Sequence, residues 1–479
     1  MKLPSERGGW WHAYVCPAHG VELDHVDLLS GEFPAGGAPC SYGCRIDTPA
    51  VRGAWTVLAH QACAAELLSQ ARAGEDVTAD LESYARLYAS AAAEVDPGVQ
   101  SWMLRGTLFH QALTESIWAV TIARAAWPAR TPAIAELLRR LTDAAAEARD
   151  KLVAEGKFTS NYVAWLTAAG YLCSRDPEWL EGEHGLYNHL LAATSEDGWQ
   201  WEASTYYHSF VLRAAVLATE GLTVPDKVAD RMQAMGRVLD NLRFGDHLAA
   251  LHDGPYRRPG YTAELVELGS PRPAPNGVTV CATYAVLRTD ELLAIVDFGP
   301  HGGSHGHRDK LSLYLYGRDA WQPDPGQVPY GHTGWRRYYA STAAHPTFRI
   351  DDQEQAECTG RLIEATDRSV TVACDDAYPG VTATRRVTIA GGELTDELVV
   401  ECTDPRKITA QLRPGVPLVV NGMTTDWGSL RGEHVGPPEF LVRPGPGPAD
   451  DPQRVVQQVD WSAYDATRAT FSSTYRTEV

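Results

Sequence analysis

The period of the apolar residues changes once along this 479-residue chain, and that change restricts the fold more than any other feature. From residue 52 to about 251, apolar side chains recur every three or four positions, the spacing of one helix face. Helices are expected at 54–71, 78–93, 101–126, 132–154, 162–173, 204–220 and 225–242, with Pro or Gly in most breaks. Short connections favour antiparallel helical hairpins. No repeat of fixed length is visible, which argues against a regular solenoid. After the Pro-rich linker 270–277 the period falls to two. Strands are expected at 278–287, 292–298, 311–316, 347–350, 369–373, 381–389 and 394–401, with Gly391-Gly392 and Asn421-Gly422 as hairpin turns. A Pro/Gly stretch at 443–452 precedes a short final segment. The expected fold class is α+β and multidomain: an irregular lobe at 1–50, a helical domain at 51–268, and an antiparallel β-sandwich at 278–479.

The chain is 44% hydrophobic and 22% charged, which suits a globular protein of more than one core. There is no run of about eighteen apolar residues, so no membrane span is expected. The first residues lack the apolar stretch of a signal peptide, and a cytoplasmic location is expected. A formal charge of −19 argues against general nucleic-acid binding. The same charge repels polyanions at long range, so an acidic ligand would need a local basic patch. Arg308, Lys310, Arg336 and Arg337, with Arg257 and Arg258, are the candidates.

Nine cysteines, an odd number, speak against a disulfide framework in a reducing compartment. Cys16 and His19, then Cys40 and Cys44, form two short-spaced pairs. Pairs separated in this way resemble a structural zinc knuckle, a candidate second zinc site. Reduced cysteines of a loop-rich lobe are the plainer reading. The other six sit in apolar contexts and are expected in cores.

Between two strands lies Gly302-Gly303-Ser304-His305-Gly306-His307-Arg308-Asp309-Lys310-Leu311-Ser312. Its glycines permit a sharp turn, and one or both imidazoles can bind metal or move protons. Asp324 follows in Asp-Pro-Gly, and His345 in Ser-Thr-Ala-Ala-His. Two nitrogens and one carboxylate with an open position would suit Zn²⁺.

The ordered set His-Gly-His-x-Asp-Lys-Leu-Ser, strand, Asp-Pro-Gly, then Trp-Arg-x-x-Tyr-x-Ser-Thr-Ala-x-His resembles the heparinase II/III family of polysaccharide lyases. Pro346 stands where that family usually has Asn. The resemblance implies that the helical domain is an incomplete α/α toroid. It implies a structural zinc on His307, Asp324 and His345, which braces the loop carrying His305. It implies cleavage of uronate-containing glycans by β-elimination, with a 4,5-unsaturated uronate as product. In that scheme Asn161, at the start of a helix, neutralises the substrate carboxylate, whereas an Asn there can also be a simple cap. Glu202-Ala203-Ser204-Thr205-Tyr206-Tyr207-His208 resembles the family's Glu-x-Ser-x-x-Tyr-His segment and makes Tyr207 the general acid, and the base for syn elimination, with Tyr206 its rival. His305 is the base for the opposite stereochemistry. Tyr330, Trp201 and Arg308 are the implied or candidate substrate contacts. A zinc-dependent glycan hydrolase and a non-catalytic glycan-binding protein are the alternative readings. The sugar and the oligomeric state stay open.

Overall fold

The computed structural model describes residues 1–91, 103–127, 130–245, 247–256, 268 and 274–478. The chain forms two compact units. One comprises Met1–Ala193, Phe210–Met232 and Pro329–His332; the other comprises Thr194–Ser209, Gln233–Val328 and Thr333–Val479. Arg257 and Arg258 and residues 270–273 of the linker lie outside the described residues, as do positions 92–93 and 101–102 of the expected helices.

The helical unit begins with a lobe of little regular structure, in which β1 (Ala38–Pro39) pairs with β2 (Arg45–Ile46). Tyr14, Cys16, Val21, Leu23 and Cys40 of the lobe pack on Val51, Ala54 and Trp55 of α1 (Pro49–Arg72). Thr48 caps α1 by accepting the Val51 amide, and Pro49 follows where no amide is needed. After α2 (Thr78–Ala91), α3 (Ala112–Ala126) is shorter than the sequence period suggests. The apolar residues Leu104, Leu108 and Phe109 before it are buried in irregular backbone, with Leu104 at φ 48°. The buried Glu115 carboxylate accepts the Leu108 amide at 2.6 Å and the Tyr88 hydroxyl at 2.8 Å, stabilising this non-helical entry. In α4 (Pro132–Ala154), Ile134, Leu137, Leu138, Leu141, Ala145, Ala148 and Leu152 make one buried face. Both α3 and α4 pack on α5 (Asn161–Ser174), which is buried almost all round. The short helices α6 (Glu178–Glu181) and α7 (Leu186–Ala193) follow. The next two helices, α8 (Thr205–Thr219) and α9 (Asp226–Asn241), each divide their residues between the two units.

The sheet unit holds a short hairpin of β3 (Arg243–Phe244) and β4 (His247–Leu248) and two larger antiparallel sheets. The smaller is a meander of β5 (Gly277–Val280), β6 (Tyr284–Arg288), β7 (Leu293–Asp297) and β8 (Leu313–Tyr316). The larger has ten strands: β9 (Phe348–Ile350), β10 (Arg361–Ala365), β11 (Ser369–Cys374), β12 (Val381–Ala390), β13 (Glu393–Leu412), β14 (Val419–Asn421), β15 (Thr424–Asp426), β16 (Leu430–Val435), β17 (Glu439–Pro446) and β18 (Val455–Thr477). Their order is β10-β11-β12-β13-β18-β16-β15-β14, with β9 on β13 and β17 on β18. Alternation decides which side chains meet. Ala285, Leu287, Ala294, Val296, Leu313 and Leu315 join Val372, Val387, Val400 and Phe471 of the large sheet in one core. The opposite meander face, with Tyr284, Val286, Ile295 and Tyr314, packs on Trp199, Ala203, Val238 and Leu242. The meander is therefore buried on both sides. A helical N-terminal region followed by an antiparallel sandwich is the fold class expected from the sequence. The last segment corrects one expectation, because β18 is 23 residues long and pairs with β13, β16 and β17. The Gly391-Gly392 turn joins β12 (Val381–Ala390) to β13 (Glu393–Leu412) as expected.

Candidate active site

The turn from β7 to β8 is shaped by the space its glycines leave. Gly302 has φ 86°, and a Cβ there would lie 2.4 Å from the Glu202 carbonyl oxygen. At Gly306 a Cβ would come within 1.5 Å of the His301 carbonyl oxygen. The backbone therefore folds tightly on itself and against residues 201–203, and presents His305 from a 3₁₀ turn (Gly303–His305). The facing segment is fixed by its own hydrogen bonds. Gln200 accepts the Glu202 amide at 2.8 Å and donates to the Glu202 carboxylate at 2.9 Å. The Ser204 hydroxyl accepts the Tyr207 amide at 3.2 Å, opening α8, and donates to the Asp253 carbonyl. Ala203, His252 and Leu311, all flanking this site, have positive φ of 58°, 62° and 61°. Such backbone costs of order 1–3 kcal/mol each and persists only where surrounding contacts determine it.

These elements stack the Tyr207 and His305 rings, with centroids 3.7 Å apart and planes 20° from parallel. Tyr206 instead meets the edge of Tyr207 at 5.2 Å. His305 Nδ1 lies 3.0 Å from Asp253 Oδ2, and its Nε2 lies 3.9 Å from Glu202 Oε1. Arg336 grips the Asp253 carboxylate with two nitrogens at 3.1 and 2.9 Å, and Gln327 donates to it at 3.3 Å. Burial alone would raise the Asp253 carboxyl, but hydrogen bonds from His305 and His307 and the Arg336 charge hold it well below the usual range. An ionised Asp253 is an acceptor only, so His305 Nδ1 donates to it and Nε2 is the ring nitrogen turned away from it.

His307, Asp324 and His345 are fully buried, with ligand atoms within 4.8 Å of one another. His307 Nε2 points to Asp253 Oδ1 at 3.2 Å, and His345 Nδ1 to the Ser341 carbonyl at 2.8 Å. Those bonds put the N–H groups on the outer atoms and direct the lone pairs of His307 Nδ1 and His345 Nε2 at each other across 3.1 Å. Burial, opposed by Asp309 and Asp324, lowers the His345 pKa and favours its neutral, ligating form. Two facing lone pairs with a carboxylate beside them fit a bound cation, and the donor set suits zinc. A third polar cluster, His252, Asp297 and Asp309, already contains a cation. Lys310 Nζ pairs with Asp297 and lies 3.3 Å from Asp309 Oδ1. Burial opposes charge on His252, yet Asp309 and Asp297 outweigh it and push its pKa up to about 10. Lys310 is thus buried in an ion network and is no part of a surface basic patch.

The remaining expected residues fall as follows. Asn161 is buried in the helical unit as the first residue of α5; the cap is Ser160, whose hydroxyl accepts the Tyr162 amide. Tyr330 belongs to the helical unit and stacks on His12 at 4.2 Å. Trp201 is 45% exposed, with its ring beside Gly303. Arg308 donates to the Gln355 carbonyl at 2.6 Å and pairs with Glu357 at 3.2 Å. Cys16, His19, Cys40 and Cys44 come together in the lobe. Sequence reasoning missed Asp253, which lies in a Gly/Pro-containing turn 52 positions from His305 with no motif around it.

Residues 274–432 match the family described as Heparinase II/III-like, C-terminal. No curated protein matches the chain in sequence. Among solved structures, a heparinase III with methylated lysines is 14% identical, with a TM-score of 0.65, covering 96% of this chain and 86% of that one. A second heparinase III is 13% identical with a TM-score of 0.63, over 93% and 80%. A mutant of the heparan sulfate lyase HepC from Pedobacter heparinus is 13% identical with a TM-score of 0.62, over 98% and 86%. Residues 274–432 are thus similar to the C-terminal domain of heparinase II/III-like proteins, and the chain shares the fold of these lyase structures, helices followed by a β-sandwich.

Proposed function

We propose that this protein is a polysaccharide lyase that cleaves uronate-containing glycans by β-elimination. The observation that carries the reading is the stack of Tyr207 on His305, whose tautomer Asp253 fixes. The family match and the shared fold support the same class. His305 Nε2 is the base that takes the C5 proton of the uronate, or Tyr207 does so where base and leaving group share a face. The C4–O bond then breaks as the C4=C5 double bond forms, and the Tyr207 hydroxyl protonates the departing oxygen. The Asn161 amide donates to the charge that grows on the carboxylate. No water is consumed. Zinc bound by His307, Asp324 and His345 would hold the strand and turn that present His305, away from the substrate. The full burial of these three side chains disfavours the hydrolase alternative, because an activated water there would not reach a glycan.

The test is to follow ultraviolet absorbance of the conjugated product across a panel of uronide oligosaccharides and polymers. Wild-type protein should produce it on at least one acidic glycan. Tyr207→Phe should lower the rate by at least roughly 10²-fold, the low end for lost acid–base catalysis, while Tyr206→Phe stays near wild type. New reducing ends without unsaturation would return the hydrolase to first place. Full activity in Tyr207→Phe would remove the tyrosine from the mechanism.

A further inference from the structure

We propose that Cys16, His19, Cys40 and Cys44 hold a structural zinc ion, and that this ion fastens segment 329–332 to the N-terminal lobe. The three thiol sulfurs lie 3.3, 3.7 and 3.5 Å from one atom, His19 Nδ1. In a tetrahedral zinc site with the usual Zn–S and Zn–N lengths, the sulfur-to-nitrogen edge is about 3.6 Å. The three sulfur-to-nitrogen edges therefore already match those of the required tetrahedron. All four cysteine and histidine side chains have ligand atoms within 4.8 Å of one another, and none of the three cysteines is in a disulfide.

The backbone around the donors is built to hold them. The Gly20 amide donates to the Cys16 carbonyl at 2.8 Å, and the Gly43 amide to the Cys40 carbonyl at 2.8 Å, closing a tight turn at each pair. Both glycines have positive φ, 75° and 82°. The Tyr42 amide points at Cys40 Sγ at 3.4 Å, and the Tyr42 ring stacks on His19 at 4.5 Å. A lobe with only two-residue strands and a three-residue 3₁₀ turn (Trp11–Ala13) has little hydrogen-bonded framework of its own. Small segments of that kind commonly draw folding energy from a metal.

The link to segment 329–332 runs through residues 12–15. Val15 precedes the ligand Cys16 and bridges to Glu22, closing the loop that carries His19. The Val15 amide donates to the Ala13 carbonyl at 2.9 Å, setting the turn that holds His12. The His12 carbonyl then accepts the Gly331 amide at 3.0 Å, and the His12 ring stacks on Tyr330. Gly331 fits so closely that a Cβ would lie 2.6 Å from the His12 carbonyl oxygen and 3.2 Å from Val15 Cγ1. Loss of the ion should therefore loosen residues 12–25 and 329–332 together.

Two measurements on the full-length protein test this without any substrate, so their failure is separable from failure of the lyase reading. First, cobalt-substituted protein should show thiolate-to-cobalt charge-transfer absorption, and an organomercurial should release about one zinc per chain from zinc-loaded protein. The Cys40→Ser/Cys44→Ser variant should lose both signals, while the sheet site has no thiol and keeps its metal. Absence of the charge-transfer band in wild-type protein would overturn the metal site, whether or not the variant folds. Second, amide hydrogen exchange after organomercurial release should speed up at least roughly tenfold in 12–25 and 329–332, as local opening predicts, with β12 unchanged. Release of the zinc with unaltered exchange at 329–332 would overturn the fastening.

Discussion

Asp253 is the residue on which the polar side chains of the sheet unit converge, and its removal separates the roles of its partners. Asp253→Asn keeps the shape but takes away the negative charge that His305, His307 and Arg336 share. We expect kcat to fall by roughly 10- to 100-fold, the usual cost of losing the partner that orients an imidazole, with KM little changed. An unchanged kcat in Asp253→Asn would show that this carboxylate does not orient the imidazole. His345→Ala should lower bound metal and thermal stability together, checked by elemental analysis and calorimetry on one preparation. The imidazoles and Asp324 were legible because the chain places them in one short ordered set. Asp253 was not, since a lone carboxylate in a turn carries no spacing that points 52 residues ahead.

At the scale of elements, the turn between β7 and β8 controls where two candidate site imidazoles, His305 and His307, point. Gly306→Ala inserts a methyl group into the His301 carbonyl, so the backbone must shift. It should cost about 1–3 kcal/mol, as other overpacked sites do, and reduce both activity and metal retention. Urea unfolding alongside metal analysis checks this; a stable, fully active variant would contradict the tight turn. Helix and strand positions followed the sequence period well wherever one face is buried, as in α4. The period misled before α3, where Leu108 and Phe109 are buried by irregular backbone and Glu115 supplies the acceptor that a helix would have used. It also concealed the length of β18, whose alternation is blurred by solvent-exposed positions among Tyr464 to Arg468. At α5 the sequence left Asn161 as either cap or functional residue; Ser160 takes the capping role.

For the whole molecule, four buried histidines, His60, His189, His208 and His434, contribute to the response to acid. His60, His189 and His208 each lie beside a backbone carbonyl acceptor, and burial pushes each pKa down to about 4. In the unfolded chain the same groups take up protons near the ordinary value of 6.5. Their folded values are depressed, so their contribution is complete above about 6.5 and is lost as the pH falls towards 4. Denaturant titrations should show stability falling through that window, and His208→Gln should make the fall shallower. No helix among the described residues is long and apolar enough to cross a membrane. The two-part architecture was legible from the change of period, because burying a helix face and burying a sheet face impose different spacings. The grouping of residues into compact units was not, since only the folded chain shows which segments pack together.

That grouping governs how the protein can be divided. The chain passes from one unit to the other at 193/194, 209/210, 232/233, 328/329 and 332/333. No single cut yields one intact unit, and a gene fragment ending in the linker omits 329–332, four residues that complete the helical unit. The two halves are therefore not modules that recombination can exchange between unrelated chains. Their segments alternate along one stretch of chain, so the two units must be encoded together.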